Sequence, residues 1–401
     1  MFKLEDYRGI VSDGTLYAIY QKARKLYGKR IVHINSTYHG GGVAEILNSL
    51  VPLMNEVGVE AGWRNLRGNP DFFTITKKFH NALQGQHSKF SRSEQKLYVR
   101  TNADFAVYTH IDHDLVIIHD PQPLPLIQFY RKKQPWIWRC HIDIKGVGEP
   151  LALLKKFILR YDRMIVSSEE YILREIPVHC KVIAPAIDPS TLKNAPLTRT
   201  VIDKTLERYR IPTDKPLVTQ ISRFDKWKDP EGVLAAFRLI KEKVDCRLVL
   251  CGSMASDDPE GIIIYEVIKR RADDLIKAGD VLFTTVENNI LVNALQRVSS
   301  VIFQKSLKEG FGLTVTEALW KGKPVIASKV GGIPLQIDDG INGFLVDPKD
   351  IQGCADRAVE ILKKPKLAED LGRNAIEKVR HNFLMTRLLS DYLDLINEEL
   401  S

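Results

Sequence analysis

The chain has 401 residues, 44% of them hydrophobic, with a formal net charge of +8 and a pI near 9.0; it is too long for one ordinary core, so two or three domains are expected. No run of about 18 apolar residues occurs, and the opening MFKLEDYRGI carries acidic residues without an apolar segment, which predicts no membrane span, no signal peptide and a cytoplasmic protein. Five scattered cysteines, Cys140, Cys180, Cys246, Cys251 and Cys354, form no C-x-x-C pair, which argues against a disulfide framework or a zinc site.

The basic residues lie within helical patterns such as LKKFILRYDR rather than in runs interleaved with aromatics, so a solvated face is expected and not a nucleic-acid partner. A mildly positive cleft would equally attract an anionic small molecule.

In chain order, residues 1–28 read as one or two amphipathic helices. They lead into a strand at 30–35 (RIVHIN), the loop STYHGGGV and a helix AEILNSLVPLMNEVG. Gly40, Gly41 and Gly42 put flexible backbone at the end of a first strand, where open α/β sheets bind ligands; a tight turn needing positive φ is the alternative reading. The run is not a G-x-G-x-x-G fingerprint.

Alternation continues with VEAGWRNL, a helical stretch at 77–84, the strand DLVIIH followed by DPQPLP, and the strand WIWR ending in CHID. A helix LALLKKFILRYD, a strand at 164–167, another helix and the strand-like CKVIAPAIDP complete a parallel αβ domain. Two of its strands end in histidine-containing clusters, His119-Asp120 and His141-Ile142-Asp143, where catalytic groups collect in such sheets.

Pro196, Pro212 and Pro216 punctuate a polar segment that places the junction there, giving domains 1–200 and 210–383, with an amphipathic helix at 384–401 able to pack back on the first. The second series runs LVTQI, SRFDKWKDP, a helix to residue 244, RLVLCG, a helix at 262–276, VLFTTV, a helix to residue 298, and SVIFQ.

The stretch KSLKEGFGLTVTEALWKGKP then sets a Gly-rich turn between a strand's end and a helix start, aiming unpaired amides and the positive end of the helix dipole outward. Glu309 precedes the turn and Glu317 follows eight residues later; one capping and one surface glutamate would give the same pattern. Arg223 and Lys228 follow the first strand of the same series, on the same sheet edge, where a guanidinium fork and an ammonium suit a diphosphate whose charge rises as it leaves. Two surface cations beside a Pro-containing turn are the plainer alternative.

Arg223 with Lys228, the E-x7-E pair around GFGLTVTEA, and VGGIPLQIDDGINGFLVDP together resemble the retaining nucleotide-sugar glycosyltransferases of GT-B fold, over nearly the whole chain. NSTYHGGGVAEILNSLVPL, FHNALQG, HDPQP and WRCHID resemble a narrower group, the archaeal trehalose glycosyltransferring synthases, with fungal trehalose phosphorylases as more distant relatives. Residues 89–111 match no motif of the group.

The resemblance implies an α/β, GT-B architecture: two Rossmann-like αβα domains facing each other across a cleft. It implies glucose transfer from ADP- or UDP-glucose to free glucose, forming α,α-trehalose with retention, in either direction; a phosphorylase using inorganic phosphate and glucose 1-phosphate is the alternative. Glu317 would hold the ribose hydroxyls, Arg223 and Lys228 the diphosphate with the Leu313 and Thr314 amides, and Glu309 with the Gly310, Phe311 and Gly312 backbone the glucose hydroxyls. His141 would contact the glucose near its 6-hydroxyl and reaction centre, Gly41 and Gly42 would close over the phosphates, and Asp120 and His80 would lie on the acceptor side.

No cofactor and no metal is expected, because Arg, Lys and a helix terminus supply the neutralising charge, although stimulation by Mg²⁺ stays open, as does a homodimer. The Asp112-His113-Asp114 match precedes a strand and reads as structural, and Asp257-Asp258 reads as a helix cap. Neither Asp120 nor Asp143 makes a compelling nucleophile, so same-face substitution is favoured over double displacement.

Overall fold

The computed structural model describes residues 3–38, 41–144, 148–252 and 259–401. Gly40, Asp257 and Asp258 lie outside the described residues. Met1–Ala186 with Met385–Ser401 form one compact unit and Ile187–Leu384 the other.

The first unit runs α1 (Asp13–Arg24), β1 (Arg30–Asn35), α2 (Gly42–Glu56), β2 (Glu60–Asn65), α3 (Pro70–Leu83), α4 (Arg92–Tyr108), β3 (Leu115–His119), β4 (Trp136–Arg139), α5 (Glu149–Ile158), β5 (Arg163–Val166) and β6 (His179–Val182). Its six strands are parallel, in the order β2-β1-β3-β4-β5-β6. Central strands of such a sheet are covered on both faces, so they read as continuous apolar runs: every residue of LVIIH and WIWR is buried, while the edge strand EAGWRN is half-exposed.

The second unit runs α6 (Arg199–Arg208), β7 (Leu217–Ile221), α7 (Pro230–Lys241), β8 (Arg247–Cys251), α8 (Pro259–Arg271), α9 (Asp273–Lys277), β9 (Val281–Thr284) and α10 (Asn289–Val298). It continues with β10 (Val301–Gln304), α11 (Leu313–Trp320), β11 (Val325–Ser328), β12 (Phe344–Val346), α12 (Ile351–Lys363) and α13 (Pro365–Asn382). The strand order is β12-β11-β10-β7-β8-β9, again all parallel.

In both sheets the winding direction reverses once, between β1 and β3 in the first and between β7 and β10 in the second. The loops leaving the two strands there run to opposite sides, which opens a crevice at their C-terminal ends.

The chain then returns to the first unit as α14 (Met385–Leu400), which packs on α1 and α2. Lys22 ties it through Asp394 at 2.5 Å and Ser390 at 2.8 Å, and Lys181 reaches Glu398 at 2.8 Å. Leu388, Leu389, Tyr392, Leu393 and Ile396 are buried on its inner face. The boundary between the units falls at Ala186, ahead of the 200–210 junction expected from the prolines. The intervening segment is bound into the second unit: Asn293 donates to the Leu192 carbonyl at 2.9 Å and to that of Ala195 at 2.8 Å.

The helix expected after β5 is only a 3-10 turn at Glu169–Tyr171. Tyr171, Leu173 and Ile176 are all buried, and that spacing gives no single helical face. Among the described residues, no helix is long and apolar enough to cross a membrane.

Because α14 supplies core to the first unit, Leu393→Ala is expected to cost about 2–5 kcal/mol at a site with 0% exposure. Leu192→Ala, at a site 65% exposed, should be near neutral; urea unfolding of both variants checks this.

Candidate active site

In the second unit the reversal point brings together the loops after β7 and β10. Asp225 caps a 3-10 turn at Lys226–Lys228, accepting from the Trp227 amide at 2.9 Å and the Lys228 amide at 3.1 Å, and so aims Lys228 at the neighbouring loop. Lys228 Nζ meets Glu309 Oε2 at 2.5 Å. The same oxygen accepts from Gln304 Nε2 at 2.9 Å and Ser306 Oγ at 3.2 Å, so three donors hold the carboxylate in one orientation. Arg223 is 59% exposed and pairs with Asp225 at 3.3 Å.

The turn between Glu309 and α11 needs glycine at two places. Gly312 caps α11 with φ +83 and no side-chain cap, and a Cβ there would stand 3.2 Å from Glu309 Cγ. Gly332 lies so close behind the turn that a Cβ would stand 2.8 Å from the Gly310 carbonyl oxygen, which accepts the Gly332 amide at 3.1 Å. Buried Gln336 donates to the Phe311 carbonyl at 2.5 Å and accepts the Thr316 hydroxyl at 2.6 Å, clamping both sides of the helix start. The VGGIPLQ motif is thus the brace of the GFG turn.

Phe311 is buried against Phe383 and its carbonyl is occupied, so it anchors the turn and leaves amides for a ligand. The first amide to close a turn onto Gly312 is that of Val315, at 2.9 Å; those of Leu313 and Thr314 precede the helix's own bonding.

Glu317 lies one turn inside α11 and is 1% exposed. Lys193 Nζ bonds its Oε1 at 2.9 Å, while Oε2 is buried without a hydrogen-bond partner. Lys321 stands beside it, donating to Asn194 Oδ1 at 2.9 Å; burial pulls its ammonium down to about 7, with the Glu317 carboxylate opposing. Lys193 and Lys321 are neighbours of Glu317 that sequence reasoning missed, since they lie in a linker and at a helix end without motif spacing.

In the first unit, His33 of β1, His119 at the end of β3 and His141 just beyond β4 form a row. His33 Nδ1 is 3.0 Å from His119 Nε2, and His119 Nδ1 is 3.0 Å from His141 Nε2. Burial drives all three well below the ordinary histidine range, His33 to about 3; the cation of buried Arg139 adds to the effect at His119 and His141. His33, which reads in the sequence as an ordinary strand residue, is the missed member.

Asp120, expected on the acceptor side, accepts the His141 amide at 2.7 Å on Oδ1 and holds φ 63, a left-handed conformation that Asp tolerates. Trp138 Nε1 donates to its carbonyl at 3.0 Å. Asp143 accepts from Gln84 Nε2, and His80 is half-buried on α3.

Gly41 caps α2 with φ 88 and no side-chain cap, and Gly42 begins that helix. The segment 89–111 contains α4, whose Tyr98 hydroxyl donates to the Pro121 carbonyl and whose Asn102 donates to that of Gln122 at 3.1 Å; it steadies the loop after Asp120. Asp112 and Asp114 bond Arg30 at the N-terminal edge of the sheet, the end away from His119.

Burial raises the Asp120 carboxyl to about 6, against the pull of the His141 amide and Arg139. Between about pH 4 and 6 the fold therefore holds a proton that the unfolded chain has lost, so stability from this group falls as pH rises through that window. Asp120→Asn keeps the acceptor and the left-handed backbone. It is expected to gain on the order of 2 kcal/mol at pH 7 and little near pH 4, read by urea unfolding of both proteins at each pH.

Residues 33–173 match the family described as trehalose synthase, N-terminal domain, and residues 201–378 match glycosyl transferases group 1. The chain is 46% identical to the trehalose synthase of Thermococcus litoralis over 98% of its own length and 97% of that protein's. It is 28% identical to the trehalose phosphorylase of Pleurotus pulmonarius, covering 88% of this chain and 55% of that one. Among solved structures, the sucrose-phosphate synthase of Thermosynechococcus elongatus superimposes with a TM-score of 0.73 at 19% identity, covering 92% of this chain and 98% of that one. With two parallel doubly wound sheets and the E-x7-E turn braced as described, the chain belongs to the trehalose synthase family of glycosyltransferases and has the GT-B fold.

Proposed function

We propose that the enzyme moves glucose from a nucleoside diphosphate glucose to free glucose, forming α,α-trehalose with the donor's anomeric configuration kept. The observation that carries this is the buried, unpartnered Glu317 Oε2 on the helix whose N-terminus faces Lys228 and Glu309. A nucleoside's ribose hydroxyls supply the missing donors one helical turn from a diphosphate, and glucose 1-phosphate has no ribose to place there.

In this reading the diphosphate takes Lys228 from Glu309, Arg223 swings in beside it, and the amides of Leu313 and Thr314 complete the cradle. Glu309, kept in place by Gln304 and Ser306, turns to the glucose hydroxyls. On the first unit, His141 meets the sugar, His80 and the loop after Asp120 serve the acceptor, and Gly41 and Gly42 approach the phosphates.

The anomeric C–O bond to phosphate breaks as the acceptor oxygen bonds that carbon on the same face; the acceptor's proton passes to the departing phosphate oxygen. Asp143 engaged with Gln84, and Asp120 with the His141 amide, support this route over a carboxylate nucleophile. A cytoplasmic location accords with five free cysteines.

Two variants separate transferase from phosphorylase. Arg223→Ala removes stabilisation that grows as the leaving group departs, so kcat should fall by roughly 10². Glu317→Gln weakens ribose bonds that are alike in ground and transition states, so KM for the nucleotide sugar should rise more than kcat falls. Trehalose made from glucose 1-phosphate but from no nucleoside diphosphate glucose would overturn the assignment.

Charge neutralisation by Lys228, Arg223 and the α11 terminus also predicts that turnover persists in EDTA. Product assays with EDTA and with added Mg²⁺ test it, and a strict requirement for Mg²⁺ would count against this account.

A further inference from the structure

The row His33–His119–His141 has two ring-to-ring contacts of 3.0 Å and one free nitrogen at each end. Burial holds all three rings neutral, and the charge of Arg139, itself 1% exposed and donating to the Val166 carbonyl at 3.0 Å, further opposes a proton on His119 or His141, so each ring carries one N–H. Each contact needs one proton between its nitrogens. Only two arrangements satisfy both contacts, with all three protons on Nδ1 or all three on Nε2.

The inner end decides between them. His33 is 0% exposed, and its Nε2 has no hydrogen-bond partner, with the Tyr392 ring of α14 centred 6.1 Å from its own. With the protons on Nε2, a buried N–H would be stranded there; with the protons on Nδ1, only a lone pair is left unused, and stranded buried N–H groups are the rarer of the two.

We propose that His33 and His119 are positioning residues that fix His141 as its Nδ1–H tautomer, so that His141 presents a hydrogen-bond donor, never an acceptor, to the substrate. This rests on the reading that His141 meets the sugar. The His141 backbone, pinned by Asp120 at 2.7 Å, fixes where that donor stands. The tautomer is set some two rings away from the ligand, and a sugar oxygen facing Nδ1 is received as an acceptor, with its own proton directed elsewhere.

Long-range ¹H–¹⁵N correlation on ¹⁵N-histidine protein, with His141 assigned by its loss in His141→Gln, reads the tautomer without reference to activity. The wild type should show Nδ1–H at His141. His119→Leu should shift it toward Nε2–H and lower kcat about 10-fold or more, with KM changed far less. His119→Asn places an amide N–H where Nδ1 stood and should restore both the tautomer and most of kcat. An Nε2–H form in the wild type, or an unchanged His141 signal in His119→Leu, overturns the proposal. A chain that makes no trehalose but shows the expected tautomers would instead overturn the substrate assignment.

Discussion

Glu309 is the knot of the second unit. The two loops that meet at the reversal of its sheet leave on opposite sides, and parallel strands offer no hairpin to tie them together. The carboxylate does so instead, joined to Lys228 of one loop and to Gln304 and Ser306 of the other. Gln220 repeats the tie in the backbone, donating to the Lys228 carbonyl at 2.8 Å and accepting the Lys305 amide at 3.1 Å. Buried Lys305 then reaches Asp229 at 2.5 Å, which caps α7. Lys228 and Glu309 are therefore held from both loops by a chain of hydrogen bonds and ion pairs that runs back into the sheet.

The two units solve the same topological problem with different electrostatics. At its reversal point the first unit stacks neutral imidazoles, His33 and His119, with ring centroids 5.3 Å apart. Burial above all opposes charging the row, and the Arg139 cation adds to it at His119 and His141. The second unit instead sets a half-buried ammonium, Lys228, against a half-buried carboxylate, Glu309, and leaves Arg223 exposed. Partly exposed groups exchange partners at lower cost than a fully buried ion pair would.

Strands were legible in the sequence because a strand covered on both faces reads as a largely apolar, β-branched or aromatic run: RIVHIN, WIWR and LVTQI are strands over those same residues. The E-x7-E turn was legible because glycine at left-handed φ and a helix start leave local marks. The helix α4 was not, since Tyr98 and Asn102 are its buried residues and its outer face is polar; its capping box, Ser91 with Glu94, was the available sign. Likewise α6 hid among prolines, although Ile202 and Leu206 stand four apart behind the Thr198 cap. The histidine row and Lys193 were out of reach, because they join strands and a linker far apart in the chain and no local pattern records that.

The contrast between the two ends of the first sheet shows why residue type alone does not mark a site. At the N-terminal edge, Asp112 and Asp114 face Arg30 with bonds of 2.9 and 2.8 Å, a satisfied arrangement in exposed surroundings. At the C-terminal edge, Asp120 sits in the left-handed region with its carboxyl raised to about 6, and His33 keeps a buried nitrogen without a partner. Each departure costs stability. In the second unit, Gly312 at φ +83 and the orphaned Glu317 Oε2 lie likewise beyond the C-terminal end of β10. Comparable departures occur elsewhere among the described residues, at Arg210 with φ 54 and at the buried ring nitrogens of His113 and Trp136, so it is their coincidence with titratable groups at the C-terminal strand ends that sets these positions apart.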